Sequence, residues 1–400
     1  MKKGAVKNMK TKTAIYLGVM IALLAVLGMA GETRAEDKVR VEIYGFIQMD
    51  AIGDFNRVDP SWNATLRPSK IPVGPAEQVG KDGEAIFSVK QSRLGVNGFF
   101  PTEMGELKTK FEFDMFGVGP DAGKTTIRLR HAYGEIGPFL AGQTNSLFMD
   151  GDVFPNTIDY WGPAGMIFFR NIQARWTFWK REGMKVAVAL EAPGSAIDAG
   201  QVNTIDPALG ANVHSWNEYP DLTAQFRWDG NWGHLQAASI LRVLGYDTPD
   251  GSVSGHKMGW GGNVSGAVNT IGKDKVLMQL AYGNGIANYF NDGGNDLAPH
   301  NTTTTGGAEA LPILGALLYY DRYWNSKWSS SIGLSETWQN NSDGQTASAF
   351  YRGSYFSVNL LHYPVKHVMV GGEFLWGRLE QNGGAAGTDS RFQFSAKFDF

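Results

Sequence analysis

The sequence predicts an all-β protein, a transmembrane antiparallel β-barrel of about sixteen strands behind a cleaved signal peptide. Three observations carry that expectation. Glycine is 51 of 400 residues and aromatics are 12%, while charged residues are only 19%. Against a usual glycine level of roughly 7%, this composition weakens helices and favours strands, turns and loops. Stretches of about ten residues alternate strictly between apolar and polar side chains, the period of a strand with one dry face and one wet face. The connections between those stretches are alternately short and long. A hydrophobic fraction of 43% excludes disorder, and a formal net charge of −3 gives no sign of a basic nucleic-acid-binding surface.

The first element is a leader over residues 1–35. Lys2, Lys3, Lys7, Lys10 and Lys12 precede an apolar run of 17 residues from Ala14 to Ala30. That run is marginal for a membrane span and is followed by small residues, with cleavage expected after Ala30 or Ala35. Removing it takes away six basic residues and one acidic residue, so the exported chain carries a net charge of −8. The chain holds no cysteine, which excludes zinc fingers, iron–sulfur clusters, cysteine nucleophiles and disulfides.

Residues 36–400 then form the barrel. In 106–116, Leu107, Thr109, Phe111, Phe113 and Met115 alternate with Glu106, Lys108, Lys110, Glu112 and Asp114. In 391–400, Phe392, Phe394, Ala396, Phe398 and Phe400 alternate with Arg391, Gln393, Ser395, Lys397 and Asp399. Residues 39–54 repeat the pattern, and weaker versions occupy 127–133, 184–191, 222–229, 235–243 and 368–376. Strands of a soluble sandwich average five or six residues, whereas about ten is what crossing a membrane requires. Low mean hydropathy follows, because only half of each strand meets lipid. Short turns are expected near 101–105, 137–138, 180–183, 229–231, 269–274, 324–327 and 362–367. The longer connections fall at 56–84, 145–165, 193–219, 245–256, 284–310 and 378–389, with shorter ones at 117–123 and 340–346. Aromatics flanking the turns (Phe99, Phe100, Phe178, Trp179, Trp228, Trp232, Tyr323, Trp324, Trp328 and Tyr363) suit a girdle at the membrane interface.

A barrel of this size is too wide for side chains to fill and encloses water. Alternation places Lys108, Lys110, Arg128, Arg130, Arg175, Arg227 and Arg242 on the inner face. The phase slips between Val89 and Leu94, so a bulge there would turn both Lys90 and Arg93 inward. A row of guanidinium groups supplies positive potential and bidentate sites for carboxylates. The connection at about 145–165 contains Asp150, Asp152 and Asp159; folded inward, it would constrict the lumen. No catalytic residue, metal site or cofactor is expected. The seven histidines are dispersed, and the glycine-rich 119–125 segment lacks both the spacing and the helix of a phosphate-binding loop.

Several segments taken together resemble the DcaP-like outer-membrane porins. They are Val-Glu-Ile-Tyr-Gly-Phe at 41–46, Ser-Arg-Leu-Gly at 92–95, Arg-Leu-Arg-His-Ala-Tyr at 128–133, Gly-Gln-Thr at 142–144, Asp-Tyr-Trp-Gly-Pro at 159–163 and the terminal Phe400. The resemblance covers residues 39–400 and is strongest before about Arg175. It implies a homotrimer of sixteen-stranded barrels in contact with outer-membrane lipid and lipopolysaccharide, with an inward third loop and passage of small anionic solutes such as dicarboxylates. It also implies that Arg128 and Arg130 sit in a basic channel wall, that 159–163 lies in the constricting loop, and that Phe400 is read by the outer-membrane assembly machinery. Some members carry a helical periplasmic extension before the barrel. Only a few residues separate the leader from the first strand here, which puts any function tied to that extension in question. The alternative to a diffusion channel is a barrel-embedded enzyme or adhesin whose extracellular loops carry the activity.

Overall fold

A computed structural model describes residues 39–400 apart from 76, 81, 305 and 306; the expected leader and its cleavage points lie outside the described residues. Strands β1 to β8 are Arg40–Asp54, the interrupted strand Glu84–Ser88 with Arg93–Thr102, Gly105–Phe116, Thr125–Ile136, Phe139–Asn145, Arg170–Arg181, Met184–Glu191 and Asp221–Gly230. Strands β9 to β16 are Gly233–Asp247, Ser254–Asn269, Lys275–Asn284, Pro312–Asn325, Trp328–Gln339, Phe350–His362, Val368–Gln381 and Ala386–Asp399. Each pairs antiparallel with its chain neighbour, and β1 pairs with β16 from Phe46 opposite Asp399 to Asp54 opposite Arg391, which closes the sheet into a sixteen-stranded barrel. Closure leaves no free strand edge.

All seven expected turns join strands at one end, and the long connections lie at the other. The alternation sorts the two faces as well. Val41, Ile43, Ile47, Phe111, Ile127, Leu241, Phe394 and Phe398 are exposed on the outside, while Asp50, Asp114, Gln236, Arg391, Gln393 and Ser395 point inward and are buried. Among the turn aromatics, Trp179, Trp228, Trp232, Trp324 and Trp328 are exposed around the barrel rim. Tyr363 is an exception: its hydroxyl meets Asn156 and Ser329 inside the lumen. It lies just beyond the last residue of β14, where strand parity no longer dictates direction.

The interruption in β2 is the expected bulge. Ser92 Oγ donates to the Gln48 carbonyl and accepts from the Gln48 N–H, taking over a ladder pair, while Gln91 swings inward to Asp50 and the Ile158 carbonyl. A second bulge lies between β3 and β4. Glu112 faces His131 and Phe113 faces Leu129, leaving Arg130 as the extra residue. The chain thereby turns Arg128, Arg130 and His131 all toward the lumen, although their numbers do not share one parity.

Where a porin-sized barrel would be open, three connections fold inside. Loop one (residues 55–83) packs Val58, Leu66, Ile71 and Val73 on Tyr355, Leu375 and Leu379 of β14 and β15. Loop three (146–169) and loop six (285–311) pack Phe148, Met149, Ile167, Ile286, Tyr289 and Phe290 on Ile240, Ala281 and Ile313 of β9, β11 and β12. The inner face is therefore not uniformly polar; it is apolar where a loop seats. Close seating relies on glycine at two points. A Cβ at Gly165 in loop three would overlap the carbonyl oxygens of Glu336 and Ala316, and one at Gly315 in β12 would overlap Phe290 and the Gly165 carbonyl.

Gly165→Ala is expected to lower the thermal unfolding midpoint in detergent, at a cost of about 1–3 kcal/mol from forced overpacking. Gly262→Ala, whose Cβ meets nothing within 4 Å on the outer face, should leave the midpoint unchanged or raise it.

Candidate functional site

Loop three is held inside the barrel by inward side chains that stand in for the sheet partners its backbone lacks. At its start, Ser146 Oγ and Leu147 N–H donate to Glu191 at 2.8 and 3.0 Å, and Asn263 and Gln236 donate to the carbonyls of Phe148 and Met149 at 2.8 and 3.0 Å. At its tip, the N–H groups of Ile158 and Asp159 both donate to the Glu373 carboxylate at 3.0 Å. Asn359 bridges Glu373 and the Asn156 carbonyl at 2.7 and 2.8 Å. Gln91 and Gln393 donate to the Ile158 carbonyl at 2.9 and 3.0 Å. On the return, Gly165 N–H donates to Ser335 Oγ at 2.8 Å. The loop thus spans the interior from the β9–β11 wall to the β13–β16 wall.

The three expected loop acids take different places. Asp159 is fully buried and binds loop one to loop three, accepting from Thr65 Oγ1, the Leu66 and Gly162 N–H groups and Tyr355 Oη. Burial pushes its carboxyl above the usual range against those donors. Asp150 is buried too, yet its carboxyl lies below the usual range: burial opposes ionisation, but His234, Ser265 and Arg227 outweigh it. Asp152 is exposed and pairs with Arg227 Nη2 at 2.6 Å. Asp150, Asp152 and His234 gather their ligand atoms within 4.8 Å of one another, with the Arg227 guanidinium bonded to both carboxylates.

Between loop three and the β1–β4 wall lies a cavity of ≈ 880 Å³. Arg67, Arg93, Arg128, Arg130, Arg170 and Lys397 line it. The bulge between β3 and β4 sets Arg128 and Arg130 side by side on Asp114, with Nη2 and Nη1 at 2.7 and 2.9 Å from Oδ2. Arg130 Nε also holds Glu112 at 2.7 Å, and Arg93 approaches the same carboxylate at 3.7 Å. Tyr160 of loop three donates to Asp114 at 2.5 Å and accepts from Arg130 at 3.1 Å, which joins the loop to the basic wall. The balancing carboxylates stand behind: Glu112 and Asp114 are 4% and 0% exposed, whereas the Arg93 and Arg128 side chains are 26% and 16% exposed. Arg170 makes no ion pair among the described residues, its Nε has no hydrogen-bond partner, and it lies 5.0 Å from the Phe168 ring. On the β3–β4 face of the cavity a solute meets guanidinium N–H donors before it meets the Glu112 and Asp114 oxygens. At the turn end, Lys397 and Asp399 pair at 3.0 Å.

Of the basic residues read from the alternation, Arg93, Arg128 and Arg130 line this cavity. Lys90 lies above it, donating to the Gly123 carbonyl at 2.7 Å. Lys110 stands 3.5 Å from Glu112 and over the Tyr44 ring, and Lys108 is exposed on the same face of β3 nearer the turn end. Arg175 bonds Gln173 and the Asn145 carbonyl. Arg227 is taken up by Asp150, Asp152 and Asp229. Arg242 is sealed off, 0% exposed, between Asp221 and Asp296 with the Gly285 and Gly194 carbonyls. Sequence reading missed Arg67, Arg170 and His131. Arg67 sits in a long loop, where alternation has no meaning. Arg170 opens β6 on the parity of lipid-facing Ile172, and His131 requires the second bulge.

The fold and this lining define a class: an integral outer-membrane β-barrel of porin architecture, with its turns on the periplasmic side and its long loops outside. The chain belongs to the DcaP outer membrane protein family, which it matches over residues 30–400. Among solved structures it is similar to the outer membrane channel DcaP of Acinetobacter baumannii, at 21% identity and a TM-score of 0.76 over 92% of this chain and 100% of that one. More distant likenesses are OmpT, an outer membrane protein of Vibrio cholerae (11% identity, TM-score 0.54, 92% and 100% covered), and OmpF of Salmonella typhi (9%, 0.55, 92% and 99%). No curated protein matches the sequence.

Glu373→Gln keeps the side-chain shape but offers one acceptor oxygen to three donors. We expect it to cost about 1–3 kcal/mol and to speed chymotrypsin cleavage within residues 146–169 of the folded protein; an unchanged cleavage rate would show that the clamp does not hold the loop.

Proposed function

We propose that this protein is a passive diffusion channel of the outer membrane that favours small organic anions such as dicarboxylates, and that it works as a homotrimer. The observation that carries the reading is the one-sided wall of the 880 Å³ cavity, where guanidinium groups face the open space and their carboxylates lie behind them. Loop three is the constriction, since it narrows the barrel to this cavity. Arg93, Arg128, Arg130 and Arg170 are the anion-binding positions: planar forks that can each pass a carboxylate to the next without a covalent step. Selectivity is then a matter of fixed charge and hydrogen-bond donors at close quarters.

Lys90, Lys108, Lys110 and Arg175 contribute the wider basic field along the wall, a long-range effect that salt screens within about 10 Å at 0.1 M, whereas Arg227 is offset by Asp150, Asp152 and Asp229. Phe400, whose backbone pairs with Gly45 of β1 and whose side chain is exposed outward, fits the role of assembly signal. The apolar outer belt suits contact with lipid, lipopolysaccharide and neighbouring protomers. A trimer form has been described for the Vibrio cholerae OmpT, which shares the fold.

Reversal potentials in a potassium chloride gradient across a planar bilayer test this reading. The wild type is expected to prefer chloride. The double variant Arg128→Gln, Arg130→Gln removes two cations, leaves Asp114 without an ion-pair partner and leaves Glu112 with only Arg93 and Lys110. The chloride-to-potassium permeability ratio should therefore fall several-fold and cross to cation preference. An unchanged ratio, or a cation-selective wild type, contradicts the proposal.

A further inference from the structure

A second cavity of ≈ 780 Å³ opens at the long-loop end, walled by Ser69, Lys70, Asp292 and Asn295 among others. It shares four lining residues with the arginine-walled cavity below it: Arg67, Asn288, Phe290 and Asn291. Arg67 is the charged member of that neck. Its guanidinium sits against the edge-to-face pair of Trp62 and Trp161, 4.1 Å from the first ring and 4.4 Å from the second, the two indoles lying 4.9 Å apart at 80° to each other. Trp62 belongs to loop one and Trp161 to loop three, so the neck forms only when both loops are seated. Along one edge, Nε and Nη2 hold Asp292 of loop six at 2.9 and 2.8 Å. Asp292 is further anchored by the Ser69 N–H and hydroxyl and is 1% exposed. Nη1 has no hydrogen-bond partner among the described residues, and the side chain keeps 15% of its surface open. An arginine held only for structure would be expected to spend its whole fork on protein. This one is held against two indoles, neutralised along one edge, and left with free donors where two cavities meet.

We propose that Arg67 is a relay position for anions: it hydrogen-bonds a carboxylate at the neck, between the outer cavity and the arginine wall beneath. This rests on the channel reading above and extends it to a residue outside the barrel wall. The two indoles and Asp292 hold the guanidinium in place, so a carboxylate is received by the N–H donors that they leave free. The buried Asp292 moderates the charge, so the position binds without trapping; conduction requires sites weak enough to leave. From the neck, the next donors inward are those of Arg128, Arg130 and Arg170.

The test is single-channel recording of the full-length protein in planar bilayers, with succinate added to one side at a time and its block resolved into association and dissociation rates. Arg67→Gln is expected to slow association from the loop side by roughly tenfold, the scale of one charge-assisted hydrogen bond, and to leave association from the turn side little changed. Asp292→Asn removes the neutralising charge and is expected to speed loop-side association. The opposite signs are the point, since a salt bridge that merely staples loop one to loop six would give both variants the same defect. Equal changes on both sides, or the same direction in both variants, overturns the relay. If Arg67→Gln does not assemble, Asp292→Asn decides alone: loop-side association slower than wild type overturns the proposal. A wild type that does not conduct overturns the channel reading itself, whereas a conducting wild type with unaltered Arg67→Gln kinetics overturns only the relay.

Discussion

The structure depends on one constraint: a loop placed inside a wide barrel must find partners for its backbone there. A surface loop gives its N–H and C=O groups to water, whereas those of loop three around Ile158 and Asp159 are enclosed by protein. Glu373 answers the constraint most directly, since one carboxylate accepts two consecutive N–H groups at the loop tip. Gln91, Gln393 and Asn359 serve the neighbouring carbonyls. The inner face of the barrel is therefore polar for two reasons. Part of it meets water in the cavity, and part is a set of sockets shaped to the loop. Both read the same way in the sequence, as the polar half of an alternating strand.

The same loop accounts for the electrostatics. With loop three seated, Tyr160 closes over Asp114 and Arg130, which pins the carboxylate behind its arginines. An arginine wall without such backing would repel itself, and one with its acids in front would attract cations. The bulge between β3 and β4 makes the layered arrangement possible, because Arg128, Arg130 and His131 reach the lumen from a stretch too short to hold three inward residues at period two. Both bulges in this wall do comparable work. Each spends a ladder position to gain an inward side chain, Gln91 in β2 and His131 in β4.

The barrel was legible because its code is local. Strand period, turn glycines and the alternation of short with long connections are all readable within ten or twenty residues, and they located sixteen strands, the seven turns and the bulge near Lys90. The site was less legible because its determinants are not local. Arg242 and Arg128 have the same sequence signature, a basic residue on a wet face, yet the first is sealed between Asp221 and Asp296 while the second fronts a cavity. What separates them is where loop six lies. Arg67 could not be read from strand parity at all; the available hint was its surroundings, since Trp62, Leu66, Ile71 and Val73 make loop one too apolar for a solvated surface loop. Tyr363 shows the converse failure, a turn aromatic that composition assigns to the rim and that the lumen takes instead.

The glycine excess has a cause beyond turns. Strand interiors normally avoid glycine, because it weakens the ladder and packs nothing. Here Gly315 and Gly261 lie on inward faces against Phe290 and Phe148, and Gly165 of loop three approaches the carbonyls of β12 and β13. These positions trade strand propensity for depth of insertion. A side chain at any of them would lift a loop by roughly the width of a methyl group, and the cavity walls are made of those loops. The sequence thus keeps its strands weaker than they could be so that three loops can lie flat against them. Membrane burial can sustain that loss, since strands enclosed by lipid have no water to turn to for alternative hydrogen bonds. A soluble barrel carrying the same inward glycines would not have that reserve, so a lumen this closely fitted by loops is easier to build in a bilayer than in water.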